Sequence, residues 1–148
     1  MKKRTLRSIT LVLVFCLVIP SFFAIAGATD YTPLRYDTSS LCSASLVVSS
    51  SNYAECKGTI SLYSKYRSGT IEASLALCKS SDQKYWSIDK SWDYNGPGYN
   101  GATSAFTITR NRFVESGYYY KVTFVVDVYD SNGTYIETLR AASDVLYV

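Results

Sequence analysis

The chain has 148 residues and no histidine, which excludes Ser-His-Asp and Cys-His catalysis within the chain and every His-ligated metal site. Four of its 15 lysines and arginines stand among the first seven residues, whereas all 12 aspartates and glutamates follow residue 28, so the remainder has 11 bases against 12 acids. This balance argues against nucleic-acid binding, which depends on a strongly basic surface.

The first 28 residues are typical of a secretory signal peptide. A basic start is followed by an apolar run from Ile9 to Phe23 and then by small residues. Cleavage fits after Ala26 or after Ala28, and the polar residues that follow favour Ala28. The apolar run of about 15 residues is shorter than the about 20 that span a membrane. We therefore expect a secreted, extracellular protein with no stable membrane insertion after cleavage.

Residues 29–40 contain Pro33 and little pattern, so we expect an extended lead-in. Beyond them, apolar and polar residues alternate with the period of two that indicates β-strands, and turn residues separate seven such runs. These runs are Cys42–Val48, Ala54–Leu62, Ile71–Leu77, Trp86–Trp92, Ala102–Ile108, Tyr118–Val128 and Thr134–Tyr147. Seven short strands over residues 41–148 predict one all-β domain, an antiparallel β-sandwich.

One corner of this sandwich has a recognisable pattern. Val114 and the turn glycine Gly117 lead into Tyr120 and Val122. An apolar residue, a turn glycine and Tyr-x-Val resemble the corner before the sixth strand of immunoglobulin-like and fibronectin type III-like domains. There a tyrosine hydroxyl bonds back to nearby backbone. We predict this structural role, a tyrosine corner, for Tyr120.

Three cysteines follow the predicted cleavage site. If the first two strands form a hairpin about Ser49, Cys42 lies opposite Cys56, and opposed Cβ atoms are about 4.5–5.5 Å apart. Because export permits disulfides, we predict a Cys42–Cys56 bridge. Cys78 has the opposite parity to its apolar neighbours, so we expect it to point outward. It would then be a free thiol or the link in a disulfide-bonded dimer.

Catalytic, metal and cofactor motifs are not recognisable in the sequence, and we predict a protein that is not an enzyme and needs no cofactor. Asp89 and Asp93 share one predicted strand and would lie about 13 Å apart, beyond the carboxylate spacing of glycosidases. Carboxylates from different strands could still meet. A carboxylate-dependent, glycan-active enzyme therefore remains an alternative.

Five tyrosines fall in predicted loops or on the non-core parity, and they form the candidate ligand surface. Exposed aromatic rings can stack on sugar faces, and tyrosine is also favoured at protein interfaces. The alternative is that these rings are simply solvated. We expect a non-catalytic binding module of the cell envelope or extracellular space, with a protein or an envelope glycan as partner; an exported toxin or bacteriocin-like factor is a further alternative. The five are Tyr94, Tyr99, Tyr119, Tyr129 and Tyr135.

The order of several motifs resembles that of short exported proteins of Firmicutes, especially clostridia, which carry an uncharacterised domain. The resemblance spans residues 41–148 and implies the sandwich fold without implying an activity. The motifs are Cys42, Cys56-Lys57-Gly58, Trp86-x5-Trp92 and Gly117-x-x-Tyr120-x-Val122.

Overall fold

A computed structural model of the protein describes residues 36–99 and 105–148. The predicted signal peptide, its cleavage after Ala28 and the first part of the predicted lead-in lie outside the described residues. So do residues 100–104, which belong to the predicted fifth strand and the turn before it.

The described residues form eight β-strands and one short 3-10 helix, with no α-helix. Every strand pair is antiparallel. The bounds are β1 Ser39–Val48, β2 Tyr53–Leu62, the 3-10 helix Ser64–Tyr66, β3 Thr70–Ser80, β4 Ser87–Pro97, β5 Phe106–Phe113, β6 Tyr119–Tyr129, β7 Tyr135–Ala142 and β8 Leu146–Tyr147.

The strands form two sheets, a smaller one in the order β1-β2-β5 and a larger one in the order β4-β3-β6-β7. β8 pairs with the start of β6, on the same side as β7. The predicted last strand is thus broken in two, where the Ser143 side chain accepts a hydrogen bond from the Val122 N–H at 2.8 Å. The antiparallel β-sandwich is confirmed, with eight strands among the described residues in place of the predicted seven.

The core lies between the sheets and is centred on β6, whose side chains alternate strictly between buried and half-buried. Phe124 of β6 is completely buried and faces Gly58 of β2. A Cβ atom at position 58 would lie 2.5 Å from the Phe124 ring, so the aromatic ring occupies the space that a side chain would need. The glycine therefore allows the two sheets to close over Phe124.

The chain before β1 is anchored to β7. The Tyr36 hydroxyl donates a hydrogen bond to the Arg140 carbonyl at 2.6 Å and accepts one from the Arg140 N–H at 3.1 Å. Glu137 accepts further bonds from the N–H and the hydroxyl of Thr38. These contacts satisfy backbone groups of a sheet edge. The described part of the predicted lead-in, Tyr36 to Thr38, is therefore fixed to β7, and the first strand begins at Ser39.

The structure contradicts the predicted Cys42–Cys56 disulfide. The hairpin turns over Ser49–Asn52, where Asn52 has a φ of 60°, and not about Ser49 alone. Cys42 consequently lies opposite Ile60, and Cys56 lies opposite Leu46. The register differs from the predicted one by four residues. This even shift keeps both thiols on the inner face but separates them by about 13 Å along the sheet.

Cys78 lies on the outer face of β3, as its parity predicts, and it is unbridged like the other two described cysteines. It is nevertheless buried, with 7% of its surface exposed, because β3 is a central strand and its neighbours cover the thiol. The nearest polar group is the Thr123 hydroxyl, 3.8 Å from Sγ. A dimer linked through Cys78 stays a prediction, and it would require this covered thiol to become accessible.

The two inward thiols should be unreactive in the folded protein. Burial raises the pKa of Cys42 and of Cys56 to about 11, and for Cys56 the charges of Asp89 and Glu55 add to the effect. Since the thiolate is the nucleophile, iodoacetamide at about pH 8 should alkylate both slowly in the folded protein and rapidly in urea. Equal rates would contradict the burial, and a Cys42–Cys56 cross-linked peptide would overturn the register.

The same shift predicts a loss of stability in alkali. Between the ordinary thiol pKa of 9.0 and the folded value of about 11, the unfolded chain has released protons that the folded chain retains. The free energy of unfolding should therefore fall as the pH rises through this window.

The tyrosine corner forms as the sequence predicts. The Tyr120 side chain is 1% exposed, and its hydroxyl accepts a hydrogen bond from the Glu115 N–H at 3.0 Å and donates one to the Glu115 carbonyl at 3.2 Å. Gly117 has a φ of 88°, in the left-handed region that favours glycine. The corner thus joins the end of the smaller sheet to the start of β6.

Replacement of Tyr120 by phenylalanine should remove both hydrogen bonds and keep the ring. We expect the free energy of unfolding in urea to fall by about 0.5–1.5 kcal/mol. Tyr85→Phe is the matched control, because its side chain is 82% exposed, and it should change little. An unchanged midpoint for Tyr120→Phe would show that the corner does not stabilise the fold.

Candidate functional site

The candidate site is the outer face of the larger sheet, which points away from the core. At its centre is a shallow depression, here called the central depression. Adjacent strands contribute its side chains in register: Glu72 is opposite both Asn95 and Asp127, and Ser74 is opposite both Asp93 and Val125. The central depression is lined by Glu72, Ser74, Asp93, Asn95, Val125 and Asp127, together with Ala73 and Tyr94, which stand at inward positions of the same strands.

Two tyrosines flank one end of the central depression. Tyr129 and Tyr135 are directly opposed on β6 and β7, and their rings meet edge to face with centroids 6.0 Å apart. The Tyr129 hydroxyl donates a hydrogen bond to Glu72 at 3.3 Å, while the Tyr135 and Thr138 hydroxyls lie 2.9 Å apart. These bonds hold the rings beside the carboxylates.

The carboxylates of the central depression are hydrogen-bonded but not neutralised. Glu72 also accepts a bond from the Asn95 amide at 3.1 Å, and Asp127 accepts one from the Thr138 hydroxyl. Within the described residues, the ion pairs join Lys79 to Glu115 and Arg112 to Asp89. None of these ion pairs involves Glu72, Asp93 or Asp127. The centre of this face is therefore negative.

The negative charge affects a neighbouring side chain. The pKa of the Tyr129 phenol is raised above its ordinary value, first by desolvation and then by the charge of Glu72. Tyr129 is therefore neutral at physiological pH, and its hydroxyl keeps the proton that it donates to Glu72.

A second aromatic group lies at the other end of the same face. The Tyr119 and Tyr147 rings are in contact, with centroids 4.9 Å apart, and the Lys121 ammonium lies 4.1 Å from the centroid of the Trp86 ring. Tyr147 is 65% exposed. Since Tyr119 and Tyr129 are ten residues apart on β6, aromatic rings bracket a face about 33 Å long.

Three of the five predicted tyrosines thus lie on one face, and the other two do not. Tyr94 is a correction: β4 continues to Pro97, so Tyr94 points inward and packs on the Phe106 ring with centroids 4.4 Å apart. The predicted loop therefore begins only after Pro97, which an edge strand tolerates. Tyr99 follows β4, and the Arg67 guanidinium lies 5.2 Å from the centroid of its ring.

The alternating pattern of the run Trp86–Trp92 puts Trp86, Ile88 and Trp92 on one inward face, and therefore does not mark Trp86 as an outward residue. A β-bulge between Leu77 and Cys78 shifts the register against β4. As a result Ile88 is 67% exposed, whereas Trp92 packs against the core. Nothing in the alternating pattern marks the position of such a bulge.

Two further kinds of site can be assessed in the described residues, a metal site and a membrane-spanning helix. Within residues 36–99 and 105–148, no group of three or more cysteines, aspartates and glutamates could hold a metal ion. In the same part of the chain, no helix is long and apolar enough to cross a membrane. No protein-family model matches the chain, and no curated protein gives a match.

Proposed function

We propose that the protein is an exported, non-catalytic binding module that holds its ligand on the outer face of the larger sheet. One observation carries the proposal: Tyr119, Tyr129 and Tyr135 gather on this face with Trp86 and Tyr147, around a polar centre. Aromatic rings offer a large contact area at a low cost in conformational entropy, and tyrosine also offers a hydroxyl.

The shape of the face favours an extended ligand. Small-molecule sites are usually deep and enclosed, whereas this depression is shallow and open along the sheet. A polymer that lies along β6 could contact both aromatic groups at once. The expected export to the cell envelope or the extracellular space, and the resemblance to short exported proteins of Firmicutes, suit an envelope glycan or a surface protein as partner.

The proposal predicts that binding depends on Tyr135 of the larger sheet and not on Tyr53 of the smaller sheet. Purified protein should be depleted from solution by peptidoglycan or another insoluble envelope polymer, and Tyr135→Ala should weaken this depletion at least about fivefold, equivalent to about 1 kcal/mol. Tyr53→Ala is the matched control on the smaller sheet, since Tyr53 is 57% exposed and Tyr135 is 53% exposed. Equal loss in both variants would refute the proposal. No depletion by any polymer would exclude the glycan and leave a surface protein as the partner, which crosslinking on the producing cells would then have to detect through Tyr135.

A second candidate function, a glycan-active enzyme, is favoured by one specific observation. Glu72 and Asp127 are directly opposed on β3 and β6, so their Cβ atoms are about 4.5–5.5 Å apart. Retaining glycosidases place their two carboxyl groups, rather than their Cβ atoms, about 5–5.5 Å apart, a separation within reach of two side chains with opposed Cβ atoms. The sheet register therefore brings two carboxylate side chains from different strands close together. Asp89 and Asp93, on a single strand, are too far apart to form such a pair.

The enzyme candidate can be tested in the same incubations by measuring the concentration of reducing ends. It predicts new reducing ends that accumulate with time, and their loss in Glu72→Gln with binding retained. The binding module predicts depletion without new reducing ends. Wild-type turnover that Glu72→Gln abolishes would therefore replace the binding proposal by the enzyme.

A further inference from the structure

We infer that the ligand of this face is a glycan with free amino groups, such as a chain of glucosamine units. This inference rests on the proposed function and names the ligand class for the same surface. Two features of the face carry it, the unneutralised carboxylates of the central depression and the aromatic rings at its two ends.

The carboxylates define a charge pattern that a ligand would have to match. Glu72 and Asp127 are directly opposed, with Cβ atoms about 5 Å apart, and Asp93 lies on the diagonal from Glu72, about 7–8 Å away. Asp93 and Asp127 flank Glu72 from two different strands and lie about 10–12 Å from each other. The described cations on this face, Lys121 and Arg140, form no ion pair with them. A ligand that brings its own ammonium groups would supply the missing charge, whereas an anionic polymer would be repelled.

The aromatic rings define the rest of the ligand. Tyr129 and Tyr135 at one end and Tyr119, Tyr147 and Trp86 at the other offer apolar faces on which sugar rings can stack. Hydrogen-bonding groups, among them Asn95, Ser74 and Thr138, lie between the two groups and can bind hydroxyls. A glycan chain with amino groups presents apolar ring faces, hydroxyls and positive charges along one extended molecule.

A protein partner fits the same face less well. The buried centres of protein interfaces are depleted of aspartate and glutamate, because desolvation of an imperfectly paired charge is costly. Here three carboxylates occupy the centre and the aromatic rings occupy the ends. A sugar amine in an open depression can pair with a carboxylate while both remain in contact with water.

The test compares two soluble probes with the same sugar backbone, the hexamer of glucosamine, which carries ammonium groups, and the hexamer of N-acetylglucosamine, in which neutral acetamide groups replace them. Titration calorimetry would use a mildly acidic pH at which the amino groups of the sugar are protonated. We expect the glucosamine hexamer to bind about tenfold more tightly, since each exposed ion pair contributes weakly and three of them add. This preference should shrink at high ionic strength.

Variants assign the preference to the carboxylates. Asp93→Asn and Glu72→Gln should each weaken binding of the glucosamine hexamer about two- to fivefold and leave binding of the acetylated hexamer unchanged. Glu55→Gln is the matched control, because Glu55 is exposed on β2 in the smaller sheet. Tyr135→Ala should weaken binding of both hexamers. Circular dichroism of each variant checks that the fold is retained.

The outcomes separate this inference from the proposed function. Equal affinity for the two hexamers, or no binding of either while an envelope polymer still depletes the protein through Tyr135, would refute the amino glycan and leave the binding module standing. Tighter, Tyr135-dependent binding of a lysine-rich peptide would also refute it and would assign the face to a protein partner. Failure of every polymer to deplete the protein, together with no Tyr135-dependent crosslink to a protein of the producing cells, would refute the proposed function itself.

Discussion

The structure depends on the strict alternation of β6. Its five even-numbered side chains, from Tyr120 to Val128, are buried between the sheets, and its six odd-numbered ones, from Tyr119 to Tyr129, face outward. The same backbone therefore supplies the centre of the core and the length of the candidate site. Because the core fixes the orientation of each inward residue, it also fixes the direction in which Tyr119, Asp127 and Tyr129 point.

The contacts around β6 explain why this orientation is well determined. Phe124 occupies the space left by Gly58, and Tyr120 is tied to the Glu115 backbone by two hydrogen bonds. A slip of β6 by one residue would place the valines outside and Asp127 inside, at a large cost in burial. The outer face is thus held rigidly by residues that never contact a ligand, which favours a pre-organised surface over one that forms on binding.

Sequence reasoning could reach the features that depend on local pattern. Period-two alternation identified the strands of the sandwich, and a glycine before Tyr-x-Val identified the role of Tyr120. Features that depend on how strands pair were out of reach. The hairpin turn spans Ser49–Asn52, and this difference alone moved Cys42 away from Cys56. Parity survives such an even shift, so the faces of the cysteines were correct although their partners were not.

The candidate site shows the same division. Tyr119, Tyr129 and Tyr135 were found from parity alone. Tyr94 was misplaced because β4 continues through a proline, and Trp86 because a bulge interrupts the alternation. The opposition of Glu72 and Asp127 could not be foreseen, since it requires the register of β3 against β6. Side-chain direction is a local property, whereas adjacency across strands is a global one.

The opposition of these carboxylates has an energetic consequence. Like charges directly opposite each other destabilise a sheet, and hydrogen bonds from Asn95, Tyr129 and Thr138 only partly offset the repulsion. A ligand that neutralises this pair would stabilise the folded state in proportion to its affinity and concentration. The negative charges that destabilise the sheet are therefore the same charges that would favour a cationic ligand over its neutral counterpart.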